Sequence, residues 1–569
     1  MNEPTSYCVS SSELISRRGR PISLTTSHCE RSEAISPSNT DQTTGLLRRC
    51  APRNDQESVV ATHASHDCRL HTVWATQCPP DRKGRGRHYT MKLTFQTAFW
   101  VSSFLMTTTV LILVIVASTS ALCQQGSSLI NFTHLERLTE RIPFADDTVS
   151  IVHVYANYPD YHWVDAKESG PEGIACVDDA GRAAVVYLRH YELTKDVRSL
   201  SQAKDLLKFV LNMQADDGEF YNFIHADRSI NKDGKTSFKS FGWWASRGVW
   251  CMALGYRVLR SVDSAFATRL QQGVEKSLPH AEKLLAKYGT YQTMQGYRVP
   301  QWLLYKSAAD ATTELLFGLN EYYAATHNKK VKRLIEKLAD GVMAMQDGNI
   351  KTFPYGLQRS WQTIWHMWGN GQTQALAHAG RMLKSKKMIT SAEREANGWY
   401  SRLLIQGFLK EMDVAAPEKK LEYEQIAYAA RPMIVGLLRL FEATGKMEYL
   451  KMAGLAGSWF FGNNAAHEQM YDPVTGRGYD GIRDSITINK NSGAESTIEA
   501  LHSLVELERY PVAMKLLNYH RVRSGESANS LYAVFENSQG DELTLVLDLK
   551  KSKVVVLEGE KSRKYGAEK

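Results

Sequence analysis

The stretch Gly173-Ile-Ala-Cys-Val-Asp-Asp-Ala-Gly-Arg-Ala-Ala-Val-Val-Tyr-Leu-Arg-His-Tyr191 decides how the rest of the chain is read. Ala180, Ala183, Ala184, Tyr187, Leu188 and Tyr191 recur at helical spacing, so residues 180–194 read as a buried helix. Small residues on its first turns leave room for another helix, or a ligand, to come close. Two adjacent carboxylates, Asp178 and Asp179, stand directly before it. An N-cap and a complement to the helix dipole are the bland account of the pair. One cap explains one Asp, and the second points toward a site. Arg182 lies four residues after Asp178 and is spaced to pair with it, which leaves Asp179 the freer carboxylate.

Outward from this helix the same period recurs. Helices are expected over 132–141, 199–213, 245–261, 265–287, 308–325, 330–345, 361–383, 391–411, 423–444, 447–461 and 494–507, and adjacent ones read as hairpins. Two hairpins close on related turns, Met213-Gln-Ala-Asp-Asp-Gly218 and Met345-Gln-Asp-Gly348, where glycine serves as a left-handed cap. Helical hairpins repeated every 50–60 residues or so predict a toroid or solenoid. The last fifty residues or so change to period two. Ser530-Leu-Tyr-Ala-Val-Phe535, Leu543-Thr-Leu-Val-Leu-Asp548 and Val554-Val-Val-Leu557 predict a small antiparallel β appendage over 521–569, after a helical domain over 129–520.

The 569-residue chain carries a formal charge of +8, spread without a basic stripe interleaved with aromatics, which argues against a nucleic-acid partner. Residues 1–90 are rich in Ser, Thr, Arg and Cys and lack periodicity. Cys8, Cys29, Cys50, Cys68 and Cys78 fit no zinc spacing. Phrases such as Arg49-Cys-Ala-Pro-Arg-Asn-Asp55 resemble translated intergenic repeats, so 1–90 reads as a miscalled or disordered leader and Met91 as the start. Residues 91–122 then read as a signal peptide or membrane anchor. Lys92 is followed by the uncharged run 95–122, with a small-residue cleavage site at Thr119-Ser120-Ala121. A lipoprotein on Cys123 is a weaker reading, because Leu122 is bulky. Each reading puts the body outside the cytoplasm: periplasmic, secreted, or membrane-attached through 95–122. Cys176 and Cys251, alone in the body, are expected as two buried thiols.

Chemistry gathers in three places. Trp243, Trp244, Trp250, Trp302, Trp361, Trp365, Trp368 and Trp459 lie near helix ends, and flat indoles suit the apolar faces of sugar rings. The spacing of Trp361, Trp365 and Trp368 favours core packing, whereas neighbours such as Trp243 and Trp244 cannot both point inward on one face. Polar residues interrupt apolar helices: Asn370, Gln372 and Gln374 in one, and Gln425, Tyr428 and Arg431 at spacings of three in another. Near the C-terminus, Tyr471-Asp-Pro-Val-Thr-Gly-Arg-Gly-Tyr-Asp-Gly481 brings Asp472 and Asp480, and Asn489-Lys-Asn-Ser-Gly-Ala-Glu495 opens a helix with Glu495. Ser492 and Glu495 also have the spacing of a capping box.

The segments Cys176–Asp179, Trp365–Gln374, Gln425–Pro432, Gly462–Asn464, Tyr471–Gly481 and Asn491–Thr497 resemble bacterial six-hairpin glycosidase-like proteins, some relatives of which are attached to glycosyltransferases. The resemblance covers roughly 145–510. It implies an all-α chain built as an (α/α)6 toroid acting on carbohydrate, and supplies no agreed catalytic pair. In a closed ring the first and last hairpins are neighbours, so Asp178, Asp179 and Glu495 converge on one funnel. Glycoside hydrolysis needs two such carboxyls, about 5–5.5 Å apart for retention and about 6.5–9.5 Å for inversion. The expected function is an exported glycoside hydrolase acting on an oligo- or polysaccharide. Asp178 or Asp179 with Glu495 form the catalytic pair, and Asp480 and Asp310 stand in reserve. Arg182, Trp243, Trp244, Asp310, Trp365, Asn370, Gln372, Gln425, Tyr428 and Arg431 are the expected substrate-binding residues. The competing readings are a sugar epimerase or polysaccharide lyase using His366, His378 or His467 as base, and a carbohydrate-binding toroid without catalysis. No phosphate-cradling glycine loop or metal cluster is evident, so no cofactor is expected. Mass determination of the native N-terminus is expected to find no peptide from residues 1–80; one such peptide refutes Met91 as the start.

Overall fold

The computed structural model describes residues 128–568. The leader over 1–90, the export segment over 91–122 and Cys123 lie outside the described residues. The body forms the expected (α/α)6 toroid. Its long helices, in chain order, are α1 (Val177–Thr194), α2 (Val197–Asn212), α3 (Trp243–Leu259), α4 (Ser264–Leu284), α5 (Ala309–Thr326), α6 (Lys329–Ala344), α7 (Gln372–Leu383), α8 (Lys386–Glu395), α9 (Ala427–Thr444), α10 (Met447–Gly457) and α11 (Ala494–Leu507). The odd-numbered helices form the inner ring. α1 packs on α3, α3 on α5, α5 on α7, α7 on α9 and α9 on α11, and α11 returns to α1. The even-numbered helices pack back on the outside, each against its hairpin partner. The sixth outer place is taken by the single turn Pro511–Met514, which rests on α10 and α11.

Burial follows from this placement. An inner helix is covered on every side: α5 is buried continuously from Ala309 to Tyr322, and α1 from Val177 to Leu188. An outer helix buries a stripe, as α6 does with Val331, Leu334, Ile335, Leu338, Ala339 and Val342. Inner helices also approach closely. A Cβ on Gly318 of α5 would lie 2.8 Å from the backbone nitrogen of Trp250 on α3, and one on Gly181 of α1 would lie 3.4 Å from the carbonyl oxygen of Arg247. The small residues at the start of α1 therefore admit a neighbouring helix, as their size predicts.

Short strand pairs fix where four inner helices begin. Ala175–Cys176 pairs with Phe223–Ile224 ahead of α1. Ile364–His366 pairs with Glu411–Asp413 ahead of α7. Gln425–Ile426 pairs with Gly481–Ile482, which pairs in turn with Ile488–Asn489, ahead of α9 and α11. These strands correct two expectations. Residues 361–371 are not helical: Gln362 has a φ of 51°, and the chain runs through Trp361, Trp365 and Trp368 as strand and turn before α7 starts at Gln372. Gln425 likewise precedes α9 and shares no helical face with Tyr428 and Arg431. The helix expected over 391–411 starts earlier, at Lys386, passes through a π-helical turn (Ala396–Tyr400) and stops at Gln406.

The C-terminal residues form a four-stranded antiparallel meander, His520–Ser527, Ser530–Glu536, Glu542–Asp548 and Lys553–Glu558. Its first strand is largely exposed and carries no apolar alternation, so period alone does not reveal it. Leu531, Ala533, Phe535, Leu543, Leu545 and Leu547 join the main core, and the final helix, Glu560–Glu568, covers the opposite face. Cys176 and Cys251 are buried free thiols.

The close α3–α5 approach gives a test. Gly318→Ala adds a methyl where the neighbouring backbone leaves no room, at a cost of about 1–3 kcal/mol, more than the roughly 1 kcal/mol that alanine gains over glycine in a helix. Calorimetry is expected to show a lower thermal midpoint, and an unchanged or raised midpoint contradicts the packing.

Candidate active site

Each inner helix sends one polar side chain to the axis about a turn or two below its N-terminus: Arg182 (α1), Arg247 (α3), Glu314 (α5), Gln374 (α7), Arg431 (α9) and Glu499 (α11). Glu499 is the hub. Arg182 Nη1 donates to its Oε1 at 3.0 Å and Arg431 Nε to its Oε2 at 2.6 Å. Arg431 also donates to Gln374 Oε1 at 3.1 Å and lies 3.8 Å from Glu314. The Tyr428 hydroxyl donates to Glu314 at 2.8 Å and accepts from Arg247 Nη2 at 3.1 Å. Ion pairs with both arginines hold the Glu499 carboxyl below its ordinary range despite burial, which pushes it up. This layer is the floor of a funnel whose mouth faces the N-terminal ends of the inner helices.

A recess of about 610 Å³, mouth included, opens above this floor. Asp178, Glu495, Tyr428, Arg247, Asn222 and Glu172 supply its polar lining, and Trp243, Trp244, Trp368, Tyr155, Phe223 and Ile426 its apolar walls. Trp243 and Trp244 both border it, because they form the first two positions of α3 and the recess wraps over the helix end. Trp368 lies beside Trp243, ring centres 6.1 Å apart, and the Arg247 guanidinium sits 5.1 Å from the Trp243 ring. A smaller cavity shares Tyr155, Ile426, Tyr428 and Glu495 with the first and adds Asp179 and Asp480. Glu495 therefore stands between the two.

The carboxylates divide in a way the spacing does not foretell. Asp178 pairs with Arg247 at 2.9 Å and accepts from Asn222 Nδ2 at 3.0 Å, at the wall of the recess. Arg182 pairs instead with Asp179, Nη2 to Oδ1 at 2.7 Å. The other Asp179 oxygen accepts from the Cys176 thiol at 3.3 Å. Asp179 is thus the structural carboxylate and Asp178 the one that faces the recess, the reverse of the i to i+4 expectation. Neither caps α1: the N-cap is Cys176, whose sulfur accepts from the Asp179 amide. Glu495 does not close a capping box with Ser492 either, since the Ser492 hydroxyl meets Thr497. Its carboxylate accepts from Arg182 at 3.0 Å. Burial pushes the Glu495 carboxyl up to about 7, against the pull of Arg182. Asp480 does the capping of α11, accepting from the Gly493 amide at 3.2 Å and the Ser496 hydroxyl at 2.7 Å, with its carboxyl pushed up to about 6 by burial.

Several expected binding residues lie elsewhere. Trp365 is fully buried, edge-on to Trp399. Asn370 accepts from the Tyr400 hydroxyl and Gln372 donates to the Gly369 carbonyl, so both brace the loop ahead of α7. Arg182 and Arg431 belong to the funnel floor, and Gln425 borders a different recess. Asp310 sits behind Trp368, its Oδ2 2.9 Å from His366 Nε2, while His366 stacks on Trp368 with ring centres 3.5 Å apart. Tyr155, from the short strand Tyr155–Asn157, and Glu172, Asn222 and Thr236, from loops, line the recess without a periodicity that marks them in the sequence. Arg247, four residues after Trp243, carries a signal that helical spacing would have caught.

No protein-family model and no curated protein matches the chain. Among solved structures it is similar to a sugar epimerase from a ruminal bacterium, at 13% identity and a TM-score of 0.45, covering 67% of this chain and 96% of that one. It is also similar to a cellobiose 2-epimerase from Spirochaeta thermophila (10% identity, TM-score 0.48, 67% and 94% covered). A third is a cellulase of C. cellulolyticum (13% identity, TM-score 0.40, 64% and 88% covered).

Proposed function

We propose that the chain is an exported carbohydrate-active enzyme that hydrolyses a glycosidic bond in the funnel, with Glu495 as general acid and Asp178 as the partner carboxylate. One observation carries the reading. Two carboxyls from the ring's first and last inner helices border one tryptophan-walled recess, and burial holds the Glu495 carboxyl near the pH at which a general acid is useful. Asp178 is oriented by Arg247 and Asn222, which hold it at the wall of the recess as base or nucleophile. Trp243 and Trp368 offer flat apolar faces to a sugar ring. The inner-helix N-termini add positive potential that favours an acidic or hydroxyl-rich ligand. The uncharged run 95–122 supports a place outside the cytoplasm for the body.

The epimerase reading asks for a histidine base, and none of the three candidate histidines lines the recess. The Gly369 amide donates to His366 Nδ1 at 2.9 Å, which leaves the Nε2 proton directed at Asp310. His378 lies deep among the charges near the far ends of the inner helices, its imidazole lowered to about 4 by burial. His467 is exposed beside another recess.

Sugar release from a panel of neutral and acidic oligosaccharides tests the assignment. Asp178→Asn and Glu495→Gln are each expected to lower kcat by about a thousandfold or more, with thermal midpoints within a few degrees of the parent. Asp179→Asn is expected to lower the midpoint, because it loosens the buried Arg182. Failure of the parent to cleave any panel member, or full activity in both recess variants, overturns the reading. Deuterium from solvent appearing at a sugar carbon would favour epimerisation instead. A protonated acid is required, so kcat/KM is expected to fall about tenfold per pH unit once pH rises through about 7, where Glu495 ionises. An alkaline limb lying well above pH 8 removes Glu495 from the acid's role.

A further inference from the structure

The recess in the funnel is lined by three carboxyls, Glu172, Asp178 and Glu495, against one guanidinium, Arg247. Two of the three have cations. Asp178 pairs with Arg247, whose other terminal nitrogen donates to the Tyr428 hydroxyl at 3.1 Å, and Glu495 meets Arg182 of the floor. Among the described residues no cation pairs with Glu172. It is 4% exposed and is held by neutral donors, the Thr236 hydroxyl at Oε1 and the Glu168 amide at Oε2, the latter 3.0 Å away. The Glu168 carboxyl stands against it, pushed up to about 7 chiefly by burial, with Glu172 adding to the rise. The place of Glu172 is fixed on both sides. Asn222 Nδ2 donates to Asp178 Oδ2 and to the Thr236 carbonyl, each at 3.0 Å, so one amide ties the catalytic wall to the segment that holds Glu172. Asn231 Nδ2 donates to the Pro171 and Glu172 carbonyls at 3.1 and 2.7 Å. Gly173 then brings the chain against Phe223–Ile224: its φ is 153°, and a Cβ there would lie 2.2 Å from the Ile224 carbonyl oxygen.

A fixed carboxylate with no cation of its own adds negative potential to a recess whose tryptophan walls screen it little. Such a group accepts protons from hydroxyls and repels a second anion. We propose that Glu172 is a specificity-determining residue that makes the funnel a site for neutral, hydroxyl-rich saccharides and excludes uronates and other acidic units. The helix N-termini on their own leave both classes open, and Glu172 decides between them. The inference rests on the funnel being a saccharide site and not on which reaction occurs there.

Calorimetric titration of the full chain with matched pairs tests this, with Glu495→Gln in every protein to prevent turnover. The pairs are cellotriose and maltotriose, each beside its counterpart with the C6 hydroxyls oxidised to carboxylates. The ratio of affinities within a pair is the readout, because a disturbed fold lowers both alike. A neutral member is expected to bind at least about tenfold more tightly than its oxidised counterpart, and Glu172→Gln to narrow that ratio to about threefold or less. Glu168 is exposed, so Glu168→Gln is the second variant: it keeps the backbone amide that holds Glu172 and is expected to narrow the ratio about twofold. Trp243→Ala is expected to weaken both members without moving the ratio. Oxidised members that bind as tightly as neutral ones, or a ratio unmoved in folded Glu172→Gln protein, overturn the role of Glu172 alone. Failure of all four probes to bind overturns it together with the saccharide reading of the funnel. Charge-selective binding by a chain that cleaves no saccharide overturns hydrolysis and leaves the role of Glu172 standing.

Discussion

The ring depends on balancing charge along a buried axis. Six inner helices meet there, and each places a charged or polar group at the level of Arg182, Arg247, Glu314, Gln374, Arg431 and Glu499. A second layer repeats the device toward the other end, with Arg189, Arg257, Glu321, Arg439 and Glu506. Burying ions is costly unless each has partners, and removing one partner from a buried pair typically costs about 3–5 kcal/mol. The layers therefore specify which helices are neighbours more than they add stability. Glu499 of α11 meets guanidinium groups from α1 and α9 in one carboxylate, and so sets the last helix between its two neighbours in the ring.

This arrangement also explains the funnel. Asp178 and Glu495 stand just above the charges of the floor, where the recess opens. Asp178 pairs with Arg247 and Asn222, and Glu495 accepts from Arg182 with burial the largest influence on its carboxyl. Two carboxyls of unlike environment then border one space, which is the condition for acid and base roles to separate. The short strand pairs set the height at which the helices around this space begin. Paired backbone ahead of α1, α7, α9 and α11 fixes the first residue of each, and a shift of one residue there would rotate Asp178 or Glu495 away from the recess.

Helix positions were legible because an apolar period survives even where a helix is buried all round, whereas repeated hairpins left toroid and solenoid open and the family resemblance supplied closure of the ring. The convergence of Asp178 and Glu495 followed from closure. Partner choice was not legible. Helical spacing assigned Arg182 to Asp178, whereas the ring turned Arg182 toward the axis and brought Arg247, from the next inner helix, to Asp178. The capping box at Ser492 and Glu495 was a pattern without its geometry, because Asp480 arrives from a distant loop to do the capping. Trp361, Trp365 and Trp368 have helical spacing by coincidence: backbone pairing of Ile364–His366 outweighs it. Tyr155, on a three-residue strand, and Glu172 and Thr236, on loops, have places set by tertiary packing.

The missing outer helix of the sixth hairpin bears on how the molecule comes into being. The seam joins Arg182 to Glu495 across 313 positions of sequence, and α11 is backed by the short helix Thr133–Leu138, the strand Arg477–Gly478 and α10 in place of a full outer helix. During synthesis the early hairpins have local partners and can form as they emerge, whereas the seam waits for nearly the whole chain. The recess is therefore among the last features to exist. A chain cut short before Glu495 has a partial ring in which Arg182 keeps Asp179 but lacks Glu495 and Glu499, so the recess is withheld from incomplete or still-unfolded polypeptide.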